Sequence, residues 1–271
     1  MKSPEVAVAS SRVDSCRVCG AAAHHVFTLH VLEREVGYFD CPHCGYLQTQ
    51  LPDWLEEAYA RPINDVDTGI MVRNRINVGY VVITLLAFGQ LRGRVVDHAG
   101  GYGILVRLLR DAGIEAHWRD KYCKNLLASG FEADAGQYDV LTAFEVFEHL
   151  LDPIADLRAM LETAPVVLLS TELIPRPETP PNDWWYLGPE HGQHIGFFRA
   201  ATLQWMAAKL GCHCASDGRS VHLFSREPVP GSWMMSLRLR RAWPVVTRLQ
   251  LASKTWSDFE WRRAQKKVSA R

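Results

Sequence analysis

The sequence has no excess of either charge: 30 Lys and Arg stand against 30 Asp and Glu in 271 residues. That balance removes the electrostatic footprint expected of a protein that grips nucleic acid with its whole surface. A long apolar run is also missing. The longest, residues 78–88 (VGYVVITLLAF), contains Gly79 and Thr84 and falls short of the roughly 20 residues a membrane span needs. It is expected to be a buried helix. No secretory pattern opens the chain, because Pro4, Glu5, Arg12 and Asp14 interrupt its first residues. Residues 1–11 are small and polar and are expected to carry no fixed structure. Seven cysteines without such a leader suit a reducing compartment, where paired cysteines bind metal more often than they form disulfides. The cytoplasm is the expected location.

What is present reads as one catalytic domain with appendages. Residues 12–50 hold two Cys-x-x-Cys pairs around a strand-like stretch. Residues 53–91 form a helical connector, with Asp53 expected to cap a first helix, Pro62 to interrupt it, and a second helix over 68–90. Residues 92–227 alternate strand and helix, the pattern of an α/β fold with a mostly parallel sheet. The strands fall at 94–97, 114–119, 138–144 and 166–170. The helices fall at 102–111, 121–129, 154–163 and 200–210, and a closing hairpin turns at Gly218. A Pro-rich loop (Pro175, Pro177, Pro180, Pro181) carries Trp184, Trp185 and Tyr186. Those aromatics could stack on a flat apolar face or pack beneath the loop.

The segment Val95-Val96-Asp97-His98-Ala99-Gly100-Gly101-Tyr102-Gly103 runs from a strand into a helix. Small residues there let the backbone pass close beneath a ligand, and the helix start offers unpaired N–H groups. Asp120, at the end of the next strand, can accept hydrogen bonds from both hydroxyls of a ribose. A dinucleotide site would place its third glycine further on, yet residues 104–106 are Ile-Leu-Val. The turn instead resembles the Asp-x-Gly-x-Gly-x-Gly turn of class I S-adenosylmethionine-dependent methyltransferases, with Asp97, Ala99, Gly101 and Gly103 at the marked positions and Ala99 departing from the first glycine. Residues 138–153, YDVLTAFEVFEHLLDP, resemble the same family's strand, acidic loop and Asp-Pro helix start. Asp152 and Pro153 also read as an ordinary helix cap. The resemblance covers residues 93–226 and implies a Rossmann-like fold with a seven-stranded sheet. It implies that Asp97, Gly100, Gly101 and Gly103 shape the methionine pocket, that Asp120 holds the ribose, and that Phe131 and Glu132 border the adenine. Phe144 and Glu145 would then line cofactor and acceptor.

Cys16-x-x-Cys19-Gly and Cys41-x-x-Cys44-Gly place four thiolates on two glycine-closed knuckles, the pattern of a structural zinc site. Two disulfides or an iron–sulfur centre are the alternatives. With all four positions taken by cysteine, such a metal has no open position for catalysis. A zinc ribbon ahead of this core is similar to bacterial enzymes that methylate nucleotide-linked deoxysugars, often at carbon. In that family a Glu-His-x-x-Tyr-Phe segment supplies a histidine base. His194 matches the histidine, while Gln193 stands for the Glu and Phe197 for the Tyr. A small, sugar-like acceptor is therefore expected, methylated at oxygen or carbon.

Methyl transfer to a hydroxyl or acidic C–H needs a proton acceptor. The candidates are His194, His191, His149 and Glu145, with Glu148 able to assist, and His194 is the expected base. Residues 228–271 form a basic, Trp-rich tail: from 238 onward ten Lys and Arg face only Asp258 and Glu260. Its readings are a helical hairpin packed on the core, an interfacial helix touching anionic lipid, or a nucleic-acid arm. No nucleic-acid partner is expected. Two further classes stay open: a zinc-ribbon binding protein on a degenerate cofactor fold, and an RNA- or protein-directed methyltransferase. Against the latter, residues 144–147 read Phe-Glu-Val-Phe and not the Asn/Asp-Pro-Pro-Tyr segment of amino-directed enzymes.

Overall fold

The computed structural model describes residues 13–59, 68–175 and 182–269. Residues 1–11, Pro62 and the prolines at 177, 180 and 181 lie outside them. Strands β1 (Val13–Ser15), β2 (Ala22–Val31), β3 (Arg34–Asp40) and β4 (Leu47–Thr49) form an antiparallel meander that carries both cysteine knuckles. Helix α1 (Leu55–Ala58) follows, and helix α2 (Ile70–Ala87) leads into the catalytic core. Asp53 does not cap α1. The helix starts after Trp54 with no side-chain cap, and Asp53 instead sits 3.8 Å from the Arg34 guanidinium.

The core alternates β5 (Arg94–His98), α3 (Ile104–Asp111), β6 (Glu115–Arg119), β7 (Val140–Phe144), α4 (Pro153–Thr163) and β8 (Val166–Ser170). Then come β9 (Gly196–Phe197), α5 (Ala200–Leu210), β10 (His213–Ser216) and β11 (Val221–Ser225). The main sheet has the order β10-β11-β8-β7-β5-β6, parallel from β6 through β8 and closed by the antiparallel β11 and β10. β8 is buried throughout, as its unbroken apolar run requires of a strand covered on both faces. Asp152 caps α4, its Oδ1 accepting from Ala155 N at 2.9 Å with Pro153 in the first turn.

Two expectations are corrected. The seventh strand position is reduced to a single parallel bridge between Trp118 and Glu132. Residues 121–129 form no helix. Asp120 Oδ1 accepts from Tyr122 N and Cys123 N, at 2.7 and 2.8 Å, and Asn125 Oδ1 accepts from Ala128 N at 2.9 Å. The Asp120 contacts would suit a helix cap, but Leu126 N and Leu127 N donate to Tyr102 O at 3.2 and 3.0 Å, so with Ala128 N the N–H groups a helix interior would use are committed elsewhere.

The chain ends in α6 (Ser232–Ser236), a 3₁₀ turn (Leu237–Ala242), α7 (Trp243–Gln250) and α8 (Thr255–Ser269). By length and composition α2 could cross a membrane, but Val78 and Val81 to Leu85 are buried, packed in one core with Trp233 and Leu237 of the tail. α8 is pinned by a buried bidentate pair: Arg110 Nε and Nη2 donate to Asp258 at 2.7 and 2.8 Å.

Candidate active site

The order of the main sheet reverses between β6 and β7 on either side of β5, which opens a crevice at the carboxyl ends of these strands. The glycine turn lies there. Ala99, Gly101 and Gly103 all take left-handed backbone, with φ of +57°, +54° and +84°. Ala99 thus adopts the conformation a glycine would take more cheaply, and the turn forms despite it. Gly100 has no room for a side chain: a Cβ would lie 2.8 Å from Asp97 Oδ2 and 2.9 Å from Trp118 Cδ1. Asp97 is buried and accepts from Thr142 Oγ1 at 2.6 Å. Burial pushes its carboxyl up to about 7. Asp120 Oδ2 accepts from Gly101 N at 2.9 Å, and Trp118 Nε1 donates to Gly101 O at 2.8 Å. The acid of β6 and the turn of β5 therefore form one wall. A carboxylate has lone pairs left over after these contacts, so the residues fit an adenosyl group whose ribose lies on Asp120. Phe131 and Glu132 are engaged elsewhere. The Arg110 guanidinium lies 3.7 Å from the centre of the Phe131 ring, Trp261 packs against that ring, and Glu132 accepts from Gly130 N and Asn125 Nδ2.

Beyond β7 the chain turns sharply at Glu145, whose φ is +55°. Its carboxylate receives the Ser170 hydroxyl from the end of β8. Burial, reinforced by the Glu148 charge, raises Glu145 to about 7. Glu148 is fully buried and accepts from Tyr186 Oη at 2.7 Å, while its Oε2 has no hydrogen-bond partner. Burial raises it to about 7 as well. His149 Nδ1 faces the Gln193 carbonyl at 3.0 Å, and His194 Nδ1 faces the Tyr186 carbonyl at 2.6 Å. A ring nitrogen facing a carbonyl oxygen carries the proton, so each Nε2 keeps its lone pair. Burial pushes His149 down and His194 well down, which keeps both neutral at pH 7. His191 stacks edge-on at 4.7 Å from His194, with Nδ1 accepting from Gln193 N. The fold thus gathers the four candidate bases His149, His191, His194 and Glu145 at one place.

Two tyrosines that belong to no motif complete the site. Tyr122, two residues beyond Asp120, stacks on Tyr59 at 5.7 Å, and Tyr59 packs on His149 at 6.1 Å. This aromatic chain joins the ribose wall to the histidines. Of the aromatic trio, Tyr186 is buried against Glu148, Trp184 packs on Tyr186 and Phe197, and Trp185 is 72% exposed. Glu148, His149 and His194 each offer one donor atom, all within 4.8 Å of one another, a set that could also hold a cation.

A family model described as a methyltransferase domain matches residues 77–216, which is more than half of the chain and includes both the turn and the histidines. The chain belongs to the S-adenosylmethionine-dependent methyltransferases. Among solved structures, the methyltransferase is similar to magnesium protoporphyrin IX methyltransferase (ChlM) from Synechocystis PCC 6803 with bound SAH, at 20% identity over 64% of this chain and 95% of that one, TM-score 0.44. It is similar to the O-methyltransferase NcsB1 from neocarzinostatin biosynthesis, at 18% identity over 64% of this chain and 61% of that one, TM-score 0.45. The plantazolicin methyltransferase BamL matches at 10% identity over 74% of this chain and 85% of that one, TM-score 0.47. No curated protein matches the sequence.

The methyltransferase's four knuckle cysteines converge as their spacing requires. The Cys16–Cys44 and Cys19–Cys41 sulfurs are each 3.5 Å apart, and all four lie within 4.8 Å of one another. A tetrahedral ion with Zn–S bonds of about 2.3 Å sets sulfurs about 3.8 Å apart, so the donor set fits zinc. Gly20 N and Gly45 N each donate back to the first cysteine carbonyl of their knuckle at 2.8 Å, from φ of +77° and +75°. The ribbon also does more than precede the catalytic core. β4 pairs with β9, Leu47 opposite Phe197 and Gln48 opposite Gly196, so the ribbon's sheet ends in the loop that bears His194. Thr49 N donates to Ile195 O at 3.0 Å, and Leu32 N to Pro189 O at 3.1 Å. Trp54 Nε1 donates to Gly192 O at 2.7 Å, and Arg199 Nη1 to Asp40 Oδ1 at 2.7 Å.

Proposed function

We propose that the methyltransferase alkylates a hydroxyl, or an acidic carbon, of a small sugar-like acceptor, with Glu145 taking the proton. The carrying observation is the position of Glu145: it leaves the end of β7 beside the glycine turn and titrates near neutrality. A base with a pKa close to the working pH is the effective one. His194, depressed well below its ordinary value, is the weaker proton acceptor, and its unprotonated Nε2 suits a hydrogen bond received from an acceptor hydroxyl. His149 suits the same task. Several acceptor atoms converging from separate segments match a polyhydroxyl molecule, and the exposed Trp185 offers a flat apolar face for a sugar ring. S-adenosylmethionine supplies the electrophilic methyl group. The acceptor oxygen would take that methyl carbon, S-adenosylhomocysteine would leave as the neutral thioether, and the acceptor's O–H proton would pass to the Glu145 carboxylate. Zinc held by Cys16, Cys19, Cys41 and Cys44 would keep the ribbon folded, and thereby the loop that bears His194 in place.

The test is release of S-adenosylhomocysteine in the presence of a panel of nucleoside-diphosphate sugars. Wild-type protein is expected to turn over at least one of them. Glu145→Gln is expected to lose about 10²–10⁴ in kcat while binding S-adenosylhomocysteine as wild type does. Wild-type activity rises with pH through about 7 as Glu145 ionises, and the Gln variant lacks that limb. Full turnover by Glu145→Gln moves the base elsewhere. Cofactor binding with no turnover across the panel removes the sugar acceptor.

A further inference from the structure

The segment after β11 lies flat along α2. Trp233 is buried and its Nε1 donates to Thr84 Oγ1 at 3.0 Å. Leu237 and Thr247 are buried on the same side, and the Arg240 guanidinium stands over the Tyr80 ring at 5.3 Å. Contact is close enough that a Cβ at Gly79 would meet the Arg240 carbonyl at 2.5 Å. The inward face is thus fully accounted for by packing.

The outward face is not. Met235 is 72% exposed, Leu239 63%, Val245 61% and Leu249 80%. Arg238, Arg241 and Arg248 are exposed among them. In α7, Val245, Arg248 and Leu249 follow the spacing that puts side chains on one helix face. No acidic residue occurs in the sequence between Glu227 and Asp258. Large aliphatic side chains interleaved with arginines, with no counter-charge, form a surface that pairs with something both apolar and anionic.

We propose that the outward face of residues 232–250 docks on an anionic lipid surface, with Met235, Leu239, Val245 and Leu249 entering the acyl boundary and the arginines meeting headgroup phosphates. Short amphipathic elements bind in this way, and long arginine stems let the charge stay at headgroup level while the apolar atoms go deeper. A second copy of this chain fits less well, because a two-fold contact would set arginines against arginines. Single-stranded RNA also fits less well, because the outward side chains named are aliphatic and give bases no ring on which to stack. The inference is independent of the acceptor's identity.

The experiment is co-sedimentation of the full chain with vesicles of equal parts phosphatidylglycerol and phosphatidylcholine, and with phosphatidylcholine alone. Binding is expected on the first, weakened by about 0.5 M salt, and absent on the second. Replacing Arg238, Arg241 and Arg248 together by Gln is expected to lower vesicle binding about 100-fold, at about fivefold for each arginine. Leu239→Ser with Leu249→Ser is expected to release the protein from vesicles while thermal unfolding and S-adenosylhomocysteine binding stay unchanged, which separates lost docking from lost folding. Equal binding to both vesicle types, no binding, or wild-type binding by either variant overturns the proposal. So does a wild-type dimer dissolved by the leucine pair, which would assign the face to a second copy. Capture of a uridine homopolymer in preference to vesicles would assign it to RNA.

Discussion

The four-cysteine ribbon is bonded to the loop that bears His194, so on the proposed function removing one cysteine should damage chemistry without touching the cofactor. Consider Cys44→Ser. Besides the β4–β9 pairing and a bond from Arg17 Nη2 to Ile195 O, six hydrogen bonds tie the ribbon and α1 to residues 189–199: the four from Thr49, Leu32, Trp54 and Arg199 already described, Gln193 Nε2 to Ala58 O at 2.8 Å, and a second from Arg199 Nη1 to Gly45 O at 2.6 Å. At about 1 kcal/mol each, they hold the loop by about 6 kcal/mol. The loop keeps its contacts to the core, such as Ile195 N to Glu148 O at 2.8 Å, so only part of that energy appears as disorder. We expect Cys44→Ser to lose metal and to fall at least about 100-fold in kcat, equivalent to about 2.7 kcal/mol. S-adenosylhomocysteine affinity should stay within a few-fold, because Asp97, Gly101 and Asp120 make no contact with the ribbon among the interactions described. Metal content, calorimetry and methyl transfer are measured on the same preparation. Trp54→Phe provides a variant with all thiols intact. It removes the bond to Gly192 together with part of the buried indole, and should reduce kcat by roughly three- to tenfold, the scale of one hydrogen bond, or more where the packing loss adds to it. Full turnover in a metal-free Cys44→Ser protein would refute the reasoning.

Asp120→Asn should weaken S-adenosylhomocysteine by about 10- to 100-fold, the value of a hydrogen bond to a charged partner, and unchanged calorimetric affinity would take the ribose off that carboxylate. Ala99→Gly should raise stability by about 1 kcal/mol, since left-handed backbone costs an alanine about that much. The shift in Tm is roughly 2–4 °C for a chain of this size, and a lowered Tm would contradict the φ of +57°. Asp258→Asn removes one of the two carboxylates on the buried Arg110 guanidinium, leaving Glu115 at 2.7 Å, and should cost about 1.5–3 kcal/mol in urea unfolding. A loss under 1 kcal/mol would show that α8 is held by its apolar contacts instead.

The parts of this protein written in local chemistry were legible, and the parts written by pairing across the chain were not. Asp152-Pro153 predicts its own helix start because cap and first turn are neighbours. The cysteine knuckles announce themselves because glycine must follow each pair. The glycine turn reads through Ala99 because the strand before it and the acid at 120 fix its place. The composition of 121–129 allows a helix, whereas its Leu126 and Leu127 N–H groups go to the distant Tyr102 carbonyl and Ala128 N to Asn125 Oδ1. β9 has two residues and no alternating pattern to find, since its partner β4 lies about 150 residues earlier in sequence and periodicity carries no information at that distance. Tyr59 and Tyr122 gave no signal at all. Their roles arise from stacking on each other, which no motif encodes.

Strain marks the same place from an independent direction. Among the described residues, three that are not glycine adopt left-handed backbone: Leu32, Ala99 and Glu145, at φ of +51°, +57° and +55°. Each costs on the order of 1 kcal/mol or more, and such residues persist only where surrounding structure dictates them. They come from three separate segments. Ala99 shapes the turn below the cofactor cleft, and Glu145 turns the chain at the end of β7. Leu32 closes the ribbon's long hairpin so that its N–H reaches Pro189 O and its side chain lies over Gly192. One therefore bends the donor wall, one aims the carboxylate, and one sets the loop that carries the histidines. Independent packing accidents would scatter over the surface. Two of the three instead stand at the ends of β5 and β7, and the third, Leu32, braces the loop that carries His194, so the backbone strain falls on the glycine turn, the acidic turn and the contact between ribbon and core.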